Sequence, residues 1–291
     1  MMQLRIRHFL HPVRSAKGLY GLGRKDFAKR RARQELLRLR RGRRDSCWCG
    51  GTLEPFSSRP SYGVCRACGG YVNQQPPLPE ELRRLYSFGL YWHRLQDLKG
   101  HPEIENRSAM DRSDGRLDFW LSLVESAVLP GKRVVEIGCA HGILLQELSD
   151  RGFSCVGVEV DPETAAWTQK MTGLPILAGM FPGVRVPECD LFLAFDVLEH
   201  SVSPEGFLLE AARLLPPGGM AIIQSPIEFR QLDPPFDAMY ERTFDDTQHL
   251  FIFSRKGIEL LARRTGFSVV AEHDWRVGHE IVVLRRELER L

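Results

Sequence analysis

No stretch of the 291-residue sequence approaches the roughly 20 consecutive apolar residues of a membrane span. The first residues also lack the apolar core of a secretory signal, so the sequence reads as a cytoplasmic chain. Acidic residues are scarce before Asp45. Only Asp26 and Glu35 stand against fifteen Lys or Arg there, a local charge of +13, and the remainder carries −10 against a net +3. The basic character therefore belongs to one segment. Phe27, Leu36, Leu37 and Leu39 give that segment only a weak apolar stripe. It reads first as a solvated arm, second as one drawn to an anionic membrane surface, and third as a nucleic-acid contact.

Histidine is missing from the cysteine-rich stretch that follows. Cys47-x-Cys49-Gly50-Gly51 and Cys65-x-x-Cys68-Gly69-Gly70 form two glycine-backed knuckles that can bring four thiolates around one Zn²⁺. With no histidine and no open position, the metal they imply is structural rather than catalytic, although the first knuckle is one residue shorter than CxxC. Nothing indicates secretion, which sets disulfides aside. Cys139, Cys155 and Cys189 are scattered and read as buried thiols.

The densest signal lies further on. Val134, Val135 and Ile137 make a short apolar strand, Gly138, Ala140 and Gly142 a small-residue turn, and Ile143 onward a helix. Small residues at such a turn let backbone approach a ligand, and the helix start favours negative charge. A second strand, Cys155 to Glu159, ends on an acid 21 positions after Gly138, placed to accept the hydroxyl protons of a ribose. A dinucleotide reader needs G-x-G-x-x-G, and here Ala140 stands where the second glycine would be, which argues against a dinucleotide.

The pattern Glu136-x-Gly138-x-Ala140-x-Gly142 resembles motif I of the class I S-adenosylmethionine-dependent methyltransferases. Asp196-Val197-Leu198-Glu199-His200, an amphipathic helix begun by Ser203-Pro204, then Pro216-Pro217-Gly218-Gly219 and a strand, resemble motifs IV and V in the same order. The resemblance implies an α/β, Rossmann-like doubly wound, mostly parallel sheet with a C-terminal antiparallel hairpin; the small N-terminal zinc ribbon and basic arm read from the cysteines and the charge stand beside it. It implies S-adenosylmethionine as cofactor, held by Glu136, Gly138, Ala140, Gly142, Glu159, Gly179, Met180 and Asp196. The acid that the family places after the third strand is missing from Ala178-Gly179-Met180-Phe181-Pro182, so adenine recognition falls to backbone groups and to Met180 or Phe181. His141 is expected to face solvent or the methionine carboxylate.

Asp246 to Ser254 is similar to the H-E-H-L-x-x-F-S stretch of deoxysugar C-methyltransferases, which also carry an N-terminal zinc-binding cysteine module. His249 falls on their proposed base, while Gln248 and Asp246 replace a glutamate and a tyrosine. His249 is thus the first candidate base and His200 the second, with Asp196 and Glu199 as orienting groups. The expected organisation is a basic arm to 44, a zinc ribbon over 45–75, a helical linker or lid over 76–115, and a methyltransferase domain over 116–291. A small polar acceptor, such as a sugar or lipid-linked glycan precursor, is the leading expectation. An RNA substrate is the alternative, discounted because no N/D-P-P-Y/F motif follows the fourth strand.

Overall fold

The structure is a computed structural model that describes residues 32–129, 131–228, 243–276 and 279–288. Most of the basic arm, residue 130 and residues 229–242 lie outside these residues. Seven strands form the central sheet, in the order Phe267–His273, Glu280–Arg286, Met220–Ser225, Leu191–Phe195, Arg133–Ile137, Ser154–Glu159, Ile176–Ala178. These are β4 (Arg133–Ile137), β5 (Ser154–Glu159), β6 (Ile176–Ala178), β7 (Leu191–Phe195), β8 (Met220–Ser225), β11 (Phe267–His273) and β12 (Glu280–Arg286). The first five pair in parallel, and β12 runs antiparallel to both β8 and β11.

Alternation along the strands divides the core between the two sheet faces. Val134, Leu191, Leu193 and Ile222 pack with the helices Arg116–Ala127 and Ile143–Asp150. Val135, Phe192, Ala194 and Ile223 pack with Pro204–Leu214 and Arg255–Arg264 on the other side. Each residue step moves a side chain to the opposite face, so continuously apolar strands need helices on both. The crossover between β6 and β7 is a loop, because residues 183–187 are too few for a helix across the sheet.

The helix ends follow local chemistry. Ser203 Oγ accepts the Gly206 N–H at 3.1 Å and Pro204 opens that helix without needing a donor. Asp161 caps Pro162–Thr172 by accepting the Thr164 N–H at 2.8 Å. Its Oδ2 also accepts the Phe88 N–H at 3.1 Å, tying the accessory helices to the sheet domain.

The cysteine module does not stand apart. β1 (Leu53–Pro55), β2 (Tyr62–Cys65) and β3 (Tyr71–Asn73) continue through β10 (Phe251–Ser254) to β9 (Ile227–Glu228), making one five-stranded sheet. Cys47, Cys65 and Cys68 share a hydrophobic cluster with the main sheet. Ser254 joins the two units directly: its hydroxyl donates to the Cys68 carbonyl and accepts the Gly257 N–H at the start of the next helix. Residues 32–44 are not a solvated arm. Ala32 and Leu39 are buried with Leu85, Leu90 and Leu95, Arg40 pairs with Glu81, and Arg44 covers the Phe251 ring at 4.6 Å. Of the apolar stripe that looked weak in sequence, Leu36 and Leu39 have a partner in residues 79–95, Leu37 is exposed, and Phe27 lies outside the described residues.

Candidate active site

The chain leaves β4 toward β5 on one side and β7 toward β8 on the other, so a crevice opens at their C-terminal ends. A cleft starts there and is bounded on the accessory side by Leu82, Tyr86 and, from the π-helical Tyr91–Leu95, Tyr91 and Trp92. Its walls include Gly138, Glu159, Met180, Asp196, His200 and, from the accessory helices, Tyr91.

The turn after β4 is built by close approach. Gly138 has φ +71°, and a Cβ there would lie 2.5 Å from Val197 Cγ2; one on Gly142, at φ +74°, would lie 2.7 Å from Thr168 Cγ2. Ala140 differs from glycine by more than a methyl group, since it sits at φ +49°, a left-handed conformation that costs an L-residue roughly 1–2 kcal/mol. Two contacts hold it there. Its N–H donates to Glu159 Oε2 at 3.1 Å and its carbonyl accepts the Thr168 hydroxyl.

Two carboxyls form the floor. Glu159 also accepts the Val160 N–H at 2.8 Å, yet burial pushes it up to about 7. Burial and the nearby Glu159 charge push Glu136 up to about 8, and Glu136 Oε2 has no hydrogen-bond partner among the described residues. Beside them His141 is enclosed rather than solvent-facing. Its Nε2 lies 3.2 Å from Asp111 Oδ2, and neither ring nitrogen makes a hydrogen bond of good geometry. Asp111 is also paired with Arg107 and Arg116. Buried polar atoms left open around a glycine cradle are what a polar, charged ligand would satisfy.

At the end of β7, Asp196 adopts φ +56° and binds His279 Nδ1 at 3.0 Å and the Gln224 amide at 2.9 Å. Burial opposes ionisation of Asp196, but the His279 charge and these hydrogen bonds hold its carboxyl well below the usual range; in turn the Asp196 charge raises His279. Gln224 Oε1 accepts the Trp120 Nε1–H at 2.9 Å, which completes a Trp120–Gln224–Asp196–His279 chain. Sequence reasoning missed three of these four. The available signal was Gln224-Ser225, a polar pair closing an apolar strand.

The two candidate bases stand together, with ring centroids 5.0 Å apart. His200 lines the cleft, and His249 stands beside it without reaching the lining. His200 Nδ1 is 2.9 Å from the Gln248 carbonyl and His249 Nδ1 is 2.7 Å from the Thr243 carbonyl. A carbonyl can only accept, so each Nδ1 carries the proton and each Nε2 is left with a lone pair. Burial, reinforced by the neighbouring ring, pulls His200 down to about 3; burial also lowers His249. The cysteine module positions His249, since Tyr62 donates its hydroxyl to the His249 carbonyl at 2.9 Å and Asn73 Nδ2 donates to the same oxygen at 3.3 Å.

The four cysteine sulfurs lie within 4.8 Å of one another, with Cys47 to Cys68 at 3.7 Å and Cys49 to Cys65 at 3.5 Å. Those spacings exceed a disulfide bond of about 2.05 Å and match the sulfur–sulfur edge of about 3.8 Å expected around tetrahedral Zn²⁺. A Cβ on Gly51 would lie 2.5 Å from Cys65 Sγ, so glycine is required for the chain to wrap the sulfurs.

Residues 106–272 match the protein family described as Methyltransferase domain. The ubiquinone biosynthesis O-methyltransferase of Dechloromonas aromatica is 29% identical over 154 residues, covering 48% of this chain and 61% of its own length. That of Burkholderia thailandensis is 29% identical over 153 residues, covering 48% and 60%. The chain thus spans about three-fifths of the length of these curated relatives. Two solved structures share the fold. A chain from the complex of the Haloferax volcanii Trm112 methyltransferase activator with a methyltransferase has a TM-score of 0.52 at 17% identity, covering 64% of this chain and 95% of that one. The [4+2]-cyclase SpnF has 0.53 at 14%, covering 73% and 97%.

The family match spans more than half of the sequence, and the chain belongs to the methyltransferase-domain family. Within it, the order of the sheet, the glycine turn after β4 and the acid ending β5 place it in the class I, S-adenosylmethionine-dependent group.

Proposed function

We propose that the protein transfers the methyl group of S-adenosylmethionine to a small polar acceptor held at the His200 end of the cleft. The observation that carries this is the alignment of Glu159, the Gly138 turn and His200 along one cleft. When bound, the sulfonium supplies an electrophilic methyl carbon with a neutral leaving group. Glu159 has free lone pairs for ribose hydroxyls, Glu136 Oε2 has room for a donor, and Met180 and Phe181 offer an apolar surface to a purine. The chain's contribution is mainly alignment, together with removal of the acceptor's proton near His200 and His249. Tyr86, Tyr91 and Trp92 roof that end, which favours a compact acceptor such as a sugar or phenol over a nucleic acid. The ubiquinone relatives are O-methyltransferases by name, and oxygen is the acceptor atom we favour.

We further propose structural Zn²⁺ at Cys47, Cys49, Cys65 and Cys68. Calorimetry with S-adenosylmethionine tests the cofactor reading: Glu159→Ala should weaken binding by about tenfold or more, the loss of a charged acceptor for hydroxyl donors. No binding to the unaltered protein, or an unchanged affinity in the variant, would overturn it.

A further inference from the structure

Three metal-ligating side chains meet at the end of the cleft where the proposed acceptor would sit: His200 lines the cleft, and Glu199 and His249 stand behind it. Glu199 is 1% exposed; Oε2 accepts the Ser225 hydroxyl at 3.0 Å, while Oε1 lies 3.7 Å from His200 Nε2. His249 offers a third atom, and the ligand atoms of Glu199, His200 and His249 all fall within 4.8 Å of one another. Both imidazoles are fixed by backbone carbonyls at Nδ1, the arrangement that presents an Nε2 lone pair to a metal. Donors around an ion at about 2.1 Å stand roughly 3.0–3.4 Å apart, so a closure of about half an ångström brings the His200–Glu199 pair to that spacing.

A further observation points to a missing group. The Tyr86 hydroxyl is buried without a hydrogen-bond partner, and its ring meets the His200 ring at 5.7 Å. Lys99 is already paired with Asp245 at 2.8 Å. Asp196 is engaged by His279. The buried Glu199 carboxyl therefore has no cation at contact distance among the described residues, and its Oε1 faces only the His200 ring.

We propose that Glu199, His200 and His249 bind one divalent transition-metal cation at the acceptor end of the cleft, making the acceptor an oxygen compound that can coordinate it. Two imidazole nitrogens and one carboxylate oxygen suit Mn²⁺, Fe²⁺, Co²⁺ or Zn²⁺ and leave coordination positions open. The acceptor's hydroxyl would bind the ion and release its proton to water, as a metal ion lowers the pKa of a bound oxygen acid. The oxygen then attacks the methyl carbon, the carbon–sulfur bond breaks, and its electron pair leaves with sulfur. An acceptor with two adjacent oxygens, such as a catechol or a vicinal hydroxy-carbonyl, chelates best. This rests on the methyl-transfer reading for the identity of the acceptor, but not for the binding of the ion.

Titration of the full chain with Mn²⁺, followed by electron paramagnetic resonance without cofactor or acceptor, tests the site; hard Mn²⁺ is disfavoured by the four thiolates. One bound ion per chain is expected. His249→Gln and Glu199→Gln should weaken it by about tenfold or more, while His93→Gln, at the exposed group His93, Glu103 and Glu105, should not. A measurement on the unaltered protein covers variants that fail to fold: at substoichiometric Mn²⁺ the ring-proton resonances of His200 and His249 should broaden before those of His93. Absence of Mn²⁺ binding, or broadening confined to His93, would overturn the proposal. Mn²⁺ binding with no affinity for S-adenosylmethionine would instead leave the ion site standing and remove the methyl-transfer reading.

Discussion

At the scale of single residues, the cleft is a place where groups are held in unfavourable states. Glu136 is buried beside Glu159 and rises from 4.5 to about 8. The folded chain therefore binds a proton that the unfolded chain releases between those values. The associated stability is full below about pH 4.5 and is lost as pH rises through about 8. Replacing Glu136 with Gln keeps the shape and removes the titration. Thermal melts of the ligand-free protein should show Glu136→Gln gaining on the unaltered chain as pH rises from about 5 to about 8.5. A melting difference that does not change with pH would contradict the assignment. Ala140 is held in a left-handed conformation by Glu159 and Thr168, so Thr168→Val should destabilise the turn by roughly 1 kcal/mol or more. A weaker affinity for S-adenosylmethionine in calorimetry should accompany it.

At the scale of elements, the strand β3 is the hinge between cysteine chemistry and the cleft. It pairs with β10 in the register Phe251 to Val72 and Ile252 to Tyr71, and Asn73 and Tyr62 hold the His249 carbonyl. A metal that organises the four cysteines would therefore act on His249 through hydrogen bonds. One Zn²⁺ per chain is expected by metal analysis. Cys68→Ser should lose it, lower the melting temperature and shift the His249 ring resonances in NMR, whereas Arg66→Ala, at an exposed site on the same module, should do none of these. Zinc-free protein with an unaltered His249 environment would break the link.

At the scale of the whole molecule, one hydrophobic cluster runs from the cysteine module through the sheet to the helix Arg255–Arg264, and the segment 32–44 wraps its outside. A chain beginning at Asp45 loses Leu39 against Leu85, Leu90 and Leu95, and Arg44 over Phe251. Its melting temperature should fall by several degrees, since burial of a leucine side chain contributes about 1.5–3 kcal/mol. An unchanged melting temperature would mean that the segment does not dock in solution. No helix among the described residues is long and apolar enough to cross a membrane.

The strands and turns of the sheet domain were legible because their causes are local. Runs such as Leu191–Phe195 can only be buried on both faces, Ser203-Pro204 can only start a helix, and Gly138 and Gly142 occur where a Cβ has no room. The knuckles of the cysteine module were legible for the same reason. Tertiary structure alone decided three things. It brought His141 onto Asp111 and His279 onto Asp196, pairs separated by 30 and 83 residues that no spacing rule connects. It joined β3 to β10 and so made the cysteine module part of the support of His249. It also set His200, not His249, against the cleft, because the β7 strand ends beside the Gly138 turn while the His249 loop packs behind it. Local pattern fixes which way a side chain faces its own strand or helix; which distant side chain meets it depends on how whole elements pack.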